Sequence, residues 1–219
     1  MRLRITFSKS GSLRYTGHLD LHTIWERTIR RAGLPLMYTL GFHPGPKIQL
    51  ASALPLGFIG RAEIVDLWLE DSSSNLPLPP YAQLVQPFAP PGLTLLSAEQ
   101  VEEPAPALQT QVISAEYEVT LLDPPDASTL PDLPQRLTTL MASASLPSQR
   151  RGKNYDLRPL IEGLTLLPPD AAGPNRLWMC LAAREGATGR PEAVLEALGI
   201  PVESTRIERT RIILKGGNK

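Results

Sequence analysis

Three arginines form the pattern in this chain that points most directly to chemistry. Arg27, Arg30 and Arg31 stand at positions i, i+3 and i+4 of a segment with helical periodicity, so they share one helix face opposite an apolar stripe. A guanidinium donates hydrogen bonds in a planar fork that fits phosphate oxygens, and neutralised phosphates release counterions. The pattern favours a polyanion as ligand, with Arg2, Arg4 and Arg14 as further contacts if they fold onto the same side. A solvated helix face stabilised by the C-terminal helix dipole explains it equally well.

A second pattern is the loop GFHPGPK, which runs from Gly41 to Lys47. Its two prolines restrict the backbone, while its glycines allow tight turns and the close approach of a ligand. Phe42 is a candidate for stacking on a base, Lys47 is a candidate for a phosphate contact, and His43 adds a titratable group. The alternative interpretation is a structural turn with Phe42 in the core.

A third pattern is a basic run in the second half of the chain with an aromatic residue inside it. Its members are Arg150, Arg151, Lys153 and Arg158, with Tyr155 and Asp156 among them. Basic side chains beside an aromatic ring are typical of a strip that binds nucleic acid. The alternative is that Asp156 pairs with Arg158 inside the fold and that Tyr155 is buried.

The histidines indicate neither a metal site nor a catalytic centre. His18 and His22 lie four residues apart on the predicted helix, and His43 is the third histidine of the chain. No carboxylate or cysteine completes a metal-ligand pattern with them, so we expect no metal and no cofactor. RNA cleavage would require a general acid or base, for which Tyr15, His18 and His43 are the candidates. We assign no catalytic residue, and a non-enzymatic role is the preferred hypothesis.

Charge is distributed unevenly along the chain. Residues 1–60 carry eight Lys/Arg and two Asp/Glu, residues 61–146 carry two and twelve, and residues 147–219 carry twelve and eight. The two ends are therefore basic and the middle is acidic, although the formal net charge is zero. This asymmetry predicts an anionic partner for the ends, unless the charges are simply scattered over a solvated surface.

Composition excludes several classes of protein. No apolar run approaches the roughly 20 residues that span a bilayer, so we expect no membrane contact and a location in the cytoplasm. The single cysteine, Cys180, excludes an internal disulfide and an all-cysteine metal site. Cys180 stands in the apolar run LWMCLA, which predicts a buried strand residue.

The periodic segments predict an α+β fold with two ferredoxin-like (βαββαβ) units in tandem and antiparallel sheets. The first unit covers residues 1–101, with a strand at the start, a helix over 18–32, strands at 36–42 and 62–70, a short helix at 81–86 and a last strand at 93–101. A linker over 102–111 precedes the second unit, 112–214, and residues 215–219 form a tail. In the second unit, strands at 113–122, 153–167, 176–184 and 203–214 accompany helices at 133–144 and 191–199.

Three separated motifs resemble one bacterial family. They are LRYTGHLDLHTIWERTIRRAGLPLMYTLGFHPGPKIQLASALPLG (13–57), AEIVDLWL (62–69) and GKNYDLRPLI (152–161). Together they are similar to the radical-SAM-linked domain of unknown function, a module that occurs beside, or fused to, radical SAM proteins. A typical member has Asn at the position of His43.

The resemblance implies a radical SAM protein as partner. It also implies paired ferredoxin-like units, a fold similar to that of CRISPR repeat-processing endoribonucleases and other RNA-binding proteins. A radical SAM enzyme holds its [4Fe–4S] cluster with three cysteine thiolates, so a chain with one cysteine cannot itself be that enzyme.

These observations lead to one preferred hypothesis and two alternatives. The preferred one is an accessory substrate-holding module that acts with a radical SAM enzyme and binds RNA, either tRNA or rRNA, through its basic surface. One alternative is a protein-interaction scaffold for the radical SAM partner. The other is a metal-independent endoribonuclease.

Overall fold

A computed structural model describes residues 1–70, 80–122, 132–168 and 175–216. The chain divides into two compact units, Met1–Val112 and Ile113–Lys219. The stretch predicted as a linker, 102–111, lies in the first unit and ends in a short helix, Leu108–Gln111. Of the predicted tail, residues 217–219 lie outside the described residues.

The first unit is a four-stranded sheet with one long helix. In chain order its elements are β1 (Arg2–Lys9), α1 (His18–Arg31), β2 (Ile48–Leu50), β3 (Ile59–Trp68), α2 (Tyr81–Val85), β4 (Leu93–Val101) and α3 (Leu108–Gln111). The strands lie in the order β4, β1, β3, β2, and each neighbouring pair is antiparallel.

Apolar and polar residues alternate in β1, so one face of the strand packs in the core of this unit. Phe7 and Trp25 are fully buried there, and their rings meet edge to face with centroids 4.9 Å apart. Trp25 belongs to the apolar stripe of α1, which the spacing predicted. Gly33 follows the helix with φ of 71°, a left-handed conformation that glycine adopts without strain and that ends the helix.

The strand predicted at 36–42 is wrong. This segment forms only isolated bridges, Leu36 to Leu69 and Tyr38 to Pro46. The exposure of Leu40 and Phe42 shows that the apolar side chains beyond position 39 face away from the unit. Leu36 is buried in the core of the unit, but Leu40 and Phe42 are fully exposed, so the apolar run does not pack on the sheet along its whole length.

The second unit also combines helices with a sheet, and it contains a separate hairpin. Its elements are β5 (Val112–Leu121), α4 (Leu133–Ala142), β6 (Pro147–Arg150), β7 (Lys153–Asp156), β8 (Ile161–Leu167), β9 (Arg176–Arg184), β10 (Ala187–Thr188), α5 (Pro191–Ala197) and β11 (Thr205–Leu214). β9 lies between β5 and β8, and β11 lies on the other side of β5. β10 pairs with the end of β9, on the same side of β9 as β8. β6 and β7 pair with each other and form a separate hairpin.

The predicted mixed α+β class with mostly antiparallel pairing is confirmed. Cys180 is a buried residue of β9, as its apolar surroundings predicted. Within the described ranges, no helix is long and apolar enough to cross a membrane.

Candidate nucleic-acid interface

The face of α1 opposite its buried stripe carries the three predicted arginines. Leu21, Trp25 and Ile29 are buried, whereas Arg27, Arg30 and Arg31 are exposed. The helix begins after Gly17, whose backbone N–H donates to the Asp20 carboxylate, and this fixes the register of both faces. The sequence pattern therefore places the three guanidinium groups on one solvent-facing surface, which we call the α1 arginine face.

Only one arginine of this face has a partner among the described residues. Arg30 Nη1 lies 3.4 Å from Glu26 Oε1, and the Arg30 side chain is 66% exposed, so this pair contributes little to stability. Arg27 and Arg31 form no hydrogen bond or ion pair with the part of the chain that the structure describes. No described residue therefore takes up the donors of Arg27 and Arg31, which makes both candidates for contact with an external anion.

Arg14 does not lie on α1. It belongs to a 3₁₀ turn, Gly11–Tyr15, where its guanidinium stacks 4.7 Å from the centroid of the Tyr15 ring and donates to the Tyr15 hydroxyl. Tyr15 is largely exposed, whereas Arg14 is half-buried. Arg14 Nε is buried and has no hydrogen-bond partner among the described residues. The pair thus presents an aromatic surface backed by a cation.

The loop predicted to hold a ligand has an ordered base and an exposed tip. At the base, the backbone N–H of Thr39 donates to the Gly45 carbonyl at 2.8 Å, and the Gly45 N–H donates to Thr39 Oγ1 at 3.1 Å. At the tip, Phe42 is 103% exposed, Leu40 is 102% exposed, and His43 is exposed as well. The alternative that Phe42 lies in the core is wrong.

Lys47 contacts an aromatic ring of the first unit. Its Nζ lies 4.7 Å from the ring centroid of Trp68, and the Arg2 guanidinium lies 4.9 Å from the same ring. The Trp68 indole N–H donates to Glu103 at 3.1 Å. The pKa of Glu103 is below its ordinary value, mainly because the backbone N–H of Ala105 donates to its carboxylate. Lys47 thus has a stabilising contact of its own, apart from the exposed tip.

A charge cluster in the first unit holds Arg2 and Arg4, so the expectation that these two arginines join the basic surface of α1 is wrong. Asp66 is fully buried and accepts hydrogen bonds from Arg2 at 2.7 and 2.9 Å and from Arg4 at 2.9 and 3.0 Å. Arg2 also donates to the carbonyls of Ala105 and Pro106, so it ties the 102–111 stretch to the sheet. No local spacing could have revealed this cluster, because Arg2 and Asp66 are separated by 64 residues.

In the second unit, the β6–β7 hairpin brings together most of the predicted basic run. Arg151 and Gly152 form its turn with φ of 49° and 77°, the two positive angles of a two-residue hairpin turn. Beside this turn is an open cavity of about 580 Å³. Its lining includes Arg150, Arg151, Lys153, Tyr155, Asp156 and Thr188. We call this cavity the hairpin cavity.

Arg158 has a structural role in the second unit. Its Nε and Nη2 donate to the carbonyl of Met141 at 3.2 and 2.9 Å, and its Nη1 donates to the carbonyl of Ile161 at 3.1 Å. The Arg158 backbone N–H donates to Asp156 Oδ1 at 2.9 Å. Arg158 is therefore engaged with the backbone, and it is not among the residues that line the hairpin cavity.

The three histidines do not form a metal site. Among residues with described positions, no group of three His, Cys, Asp or Glu side chains is arranged to hold a metal ion. The pKa of His18 is below its ordinary value because of partial burial, with smaller contributions from His22 and Lys9. A lowered pKa keeps the His18 imidazole neutral at neutral pH.

A polar cluster surrounds Cys180 in the second unit. Glu162 accepts hydrogen bonds from Ser114, from Arg184 at 2.7 Å and from the Cys180 thiol at 3.8 Å. Burial, with the Glu162 carboxylate next, raises the pKa of the Cys180 thiol to about 11. The thiol is therefore protonated at neutral pH and is a poor nucleophile.

A family model described as "Uncharacterized protein conserved in bacteria (DUF2344)" matches residues 2–191. The chain belongs to this family. The match to the DUF2344 family includes α1, the exposed loop and the hairpin cavity, and it ends at the first residue of α5. The family description names no activity, so any role for these sites has to be argued from their geometry.

The other comparisons add no function to this family member. No curated protein matches the chain. One solved structure, of a protein described as a candidate glycine cleavage system transcriptional repressor, is similar with 12% identity over 98% of each chain and a TM-score of 0.24. A similarity at that TM-score supports no argument about fold or function.

Proposed function

We propose that this chain is a non-catalytic module that binds RNA, either tRNA or rRNA, and holds it for a radical SAM enzyme. The observation that carries the proposal is the α1 arginine face, where three guanidinium groups project from one helix and two of them have no partner among the described residues. An RNA backbone supplies phosphates at regular spacing, and arginine matches them with planar pairs of donors.

The strand order supports an RNA-binding fold. In the first unit the strands lie in the order β4, β1, β3, β2. In the second unit, apart from the β6–β7 hairpin and β10, the order is β11, β5, β9, β8, so both units place the last strand beside the first and the second strand at an edge. We interpret this order as that of a ferredoxin-like split βαβ unit, which RNA-recognition domains also use, and on that interpretation it supports the proposal. The analogy adds weight to the proposal, but the α1 arginine face carries it.

The radical SAM partner is proposed from the motifs of residues 13–57, 62–69 and 152–161. The first motif contains the α1 arginine face and the exposed loop, and the third contains Lys153 and Tyr155 of the hairpin cavity. The partner would supply the cluster and the radical, and this chain would supply affinity for the substrate. Such a division of labour agrees with a chain that has one cysteine.

Salt dependence of RNA binding tests the proposal. If the three arginines each contact one phosphate, changing all of them to Gln reduces the slope of log K against log salt by about 2 for single-stranded RNA. Fluorescence anisotropy with labelled tRNA and rRNA fragments, from 50 to 300 mM KCl, measures this slope. The matched control is Arg184/Arg190/Lys215→Gln, which removes the same charge from exposed positions of the second unit and, like the α1 set, includes one arginine with an ion-pair partner that is itself partly exposed.

Two results would remove RNA from the proposal. One is the absence of tRNA or rRNA binding by the unaltered chain at 50 mM salt. The other is an equal loss of affinity in the α1 triple variant and in the control, since that would reflect net charge alone.

A protein-interaction scaffold is the second candidate, and the loop tip favours it. The side chains of Leu40 and Phe42 are both apolar and fully exposed to water at the tip of an ordered loop. Exposed apolar surface is unfavourable in water, and a partner that buries it would gain binding energy. Under this hypothesis Leu40→Ser/Phe42→Ser abolishes capture of the radical SAM protein, and capture resists nuclease. Capture that nuclease eliminates would instead indicate an RNA bridge.

A further inference from the structure

The hairpin cavity in the second unit has the chemistry of a small binding site. Its volume of about 580 Å³ falls in the range of pockets that hold small ligands. Two structural elements build it, because Arg150 and Lys153 come from the β6–β7 hairpin and Thr188 comes from β10. The positive φ angles of Arg151 and Gly152 close this hairpin with two residues, so the cations on either side of the turn stay close together.

The lining carries more positive than negative charge. Arg150, Arg151 and Lys153 form no side-chain hydrogen bond or ion pair within the described part of the chain. The carboxylate in the lining, Asp156, accepts backbone N–H donors from Leu146 at 2.8 Å and from Arg158 at 2.9 Å. These two hydrogen bonds lower the pKa of Asp156, so the carboxyl stays ionised without pairing to the three cations. An anionic ligand would therefore meet cations that are free to bind it.

The remaining lining residues favour a ligand with more than a phosphate group. Tyr155 is half-buried and offers part of its ring to the cavity, where a planar base can stack. Asp156 would repel a phosphate placed beside it, but it accepts hydrogen bonds from a ribose hydroxyl or a base amino group. Thr188 adds a hydroxyl that both donates and accepts.

We propose that the hairpin cavity binds a nucleoside phosphate, with the phosphate on Arg150, Arg151 and Lys153 and the base on Tyr155. The ligand is either a free nucleotide or the phosphorylated terminal nucleotide of an RNA. This site shares no residue with the α1 arginine face. Evidence against RNA binding by the first unit would therefore not be evidence against nucleotide binding in the hairpin cavity.

Binding of defined small probes to the full chain tests the site. Isothermal titration calorimetry would compare the four ribonucleoside 5′-monophosphates, the matching nucleosides, inorganic phosphate and a 5′-phosphorylated tetranucleotide. We expect saturable binding of at least one monophosphate, and about tenfold or greater weakening when the phosphate or the nucleoside is missing. A tetranucleotide that binds tighter than any monophosphate would identify an RNA terminus as the source, and the reverse order would identify a free nucleotide.

Variants distinguish this cavity from general attraction to charge. Arg150→Gln and Lys153→Gln should each weaken the monophosphate about tenfold, while Lys215→Gln, an exposed lysine outside the cavity, should leave it unchanged. Tyr155→Leu should weaken binding about tenfold and Tyr155→Phe by less than about twofold, because the phenyl ring still stacks. The Arg27/Arg30/Arg31→Gln variant should bind the monophosphate as the unaltered chain does.

Three results would overturn the inference. The first is the absence of saturable binding of every monophosphate and of the tetranucleotide at millimolar concentration. The second is equal affinity for inorganic phosphate and for the monophosphates, since the nucleoside would then contribute nothing. The third is equal weakening by Lys153→Gln and Lys215→Gln. Loss of RNA binding by the α1 variant with intact monophosphate binding would leave this site standing.

Discussion

The charge cluster around Asp66 predicts a large effect from a single substitution, Asp66→Asn. Asp66 is 0% exposed and receives hydrogen bonds from Arg2 and Arg4, and Arg2 is itself only 1% exposed. Asn has nearly the same size but no charge, so the Arg2 guanidinium would stay buried without its close anion. The next carboxylate, Glu103, lies 3.9 Å from Arg2 Nη1 on a side chain that is 45% exposed, so it compensates little. Leaving one member of a buried ion pair uncompensated costs about 3–5 kcal/mol of folding free energy. The first unit should therefore lose much of its stability.

Urea denaturation followed by tryptophan fluorescence measures this loss in the first unit. Trp25 and Trp68 lie in the first unit and Trp178 lies in the second, so a Trp178→Phe background reports on the first unit alone. With a slope of about 2 kcal/mol per molar urea, the midpoint should fall by roughly 2 M. The slope itself should not change, because the substitution leaves the buried surface the same.

Glu26→Gln is the matched control for removal of one carboxylate charge. Glu26 pairs with the exposed Arg30 at 3.4 Å, so its loss should change stability by less than about 0.5 kcal/mol. A loss below about 1 kcal/mol for Asp66→Asn, with an unaltered slope, would refute the reasoning. It would mean that the Glu103 carboxylate and the Ala105 and Pro106 carbonyls satisfy Arg2 without Asp66.

Three further predictions concern the second unit. Gly163→Ala should destabilise the chain by about 1–3 kcal/mol in urea, because its Cβ would lie 2.7 Å from Trp178 Cζ3, whereas Gly45→Ala in the first unit meets nothing within 4 Å and should be close to neutral. Iodoacetamide at pH 8 should alkylate Cys180 at least about 100-fold more slowly in the folded chain than in urea, because burial raises the pKa of the thiol to about 11; equal rates would contradict this. Backbone N–H donors lower the pKa of Asp156, so its stabilising contribution is complete above the unfolded pKa and is lost as pH falls through the folded pKa. Asp156→Asn should therefore flatten the acid side of the stability curve below about pH 4, and an unchanged curve would exclude this source.

Periodicity predicted the elements that pack one face against a core. The stripe that includes Trp25 and Ile29 predicted α1, and the structure ends the helix at Arg31. The alternation of Leu3, Ile5 and Phe7 predicted β1, whose inward residues are fully buried. In both elements the spacing of the apolar residues marks the face that is buried. The opposite face of α1, which carries the three arginines, could therefore be predicted from the local sequence.

Contacts between distant residues could not be predicted in this way. Arg158 lies in a basic run, but the carbonyls that hold it belong to Met141 and Ile161, and only the fold brings all three together. Lys47 stands at the end of the GFHPGPK loop, but it contacts Trp68. A positive charge in the sequence therefore indicates a ligand only when the fold leaves that charge without an internal contact.

The hairpin cavity shows the opposite case. The basic run predicted Arg150, Arg151 and Lys153 as a group, and the structure places them around one cavity. Thr188 could not be identified from the sequence, because a single threonine in a short strand is ordinary and its position depends on how β9 and β10 pair. Sequence alone identified the cations, while the cavity required the fold.

The strand order has a consequence for the order in which the units fold during synthesis. All the strands of the first unit have been synthesised when β4 ends at Val101, and the unit itself ends at Val112, so it is the first to have its own residues available for folding. The second unit places β11 beside β5, and β11 ends at Leu214. More than eighty residues separate the two strands, so β5 cannot pair with β11 until almost the whole second unit has been synthesised. A ribosome stalled after β9 should therefore carry a folded first unit and a second unit that is still sensitive to protease.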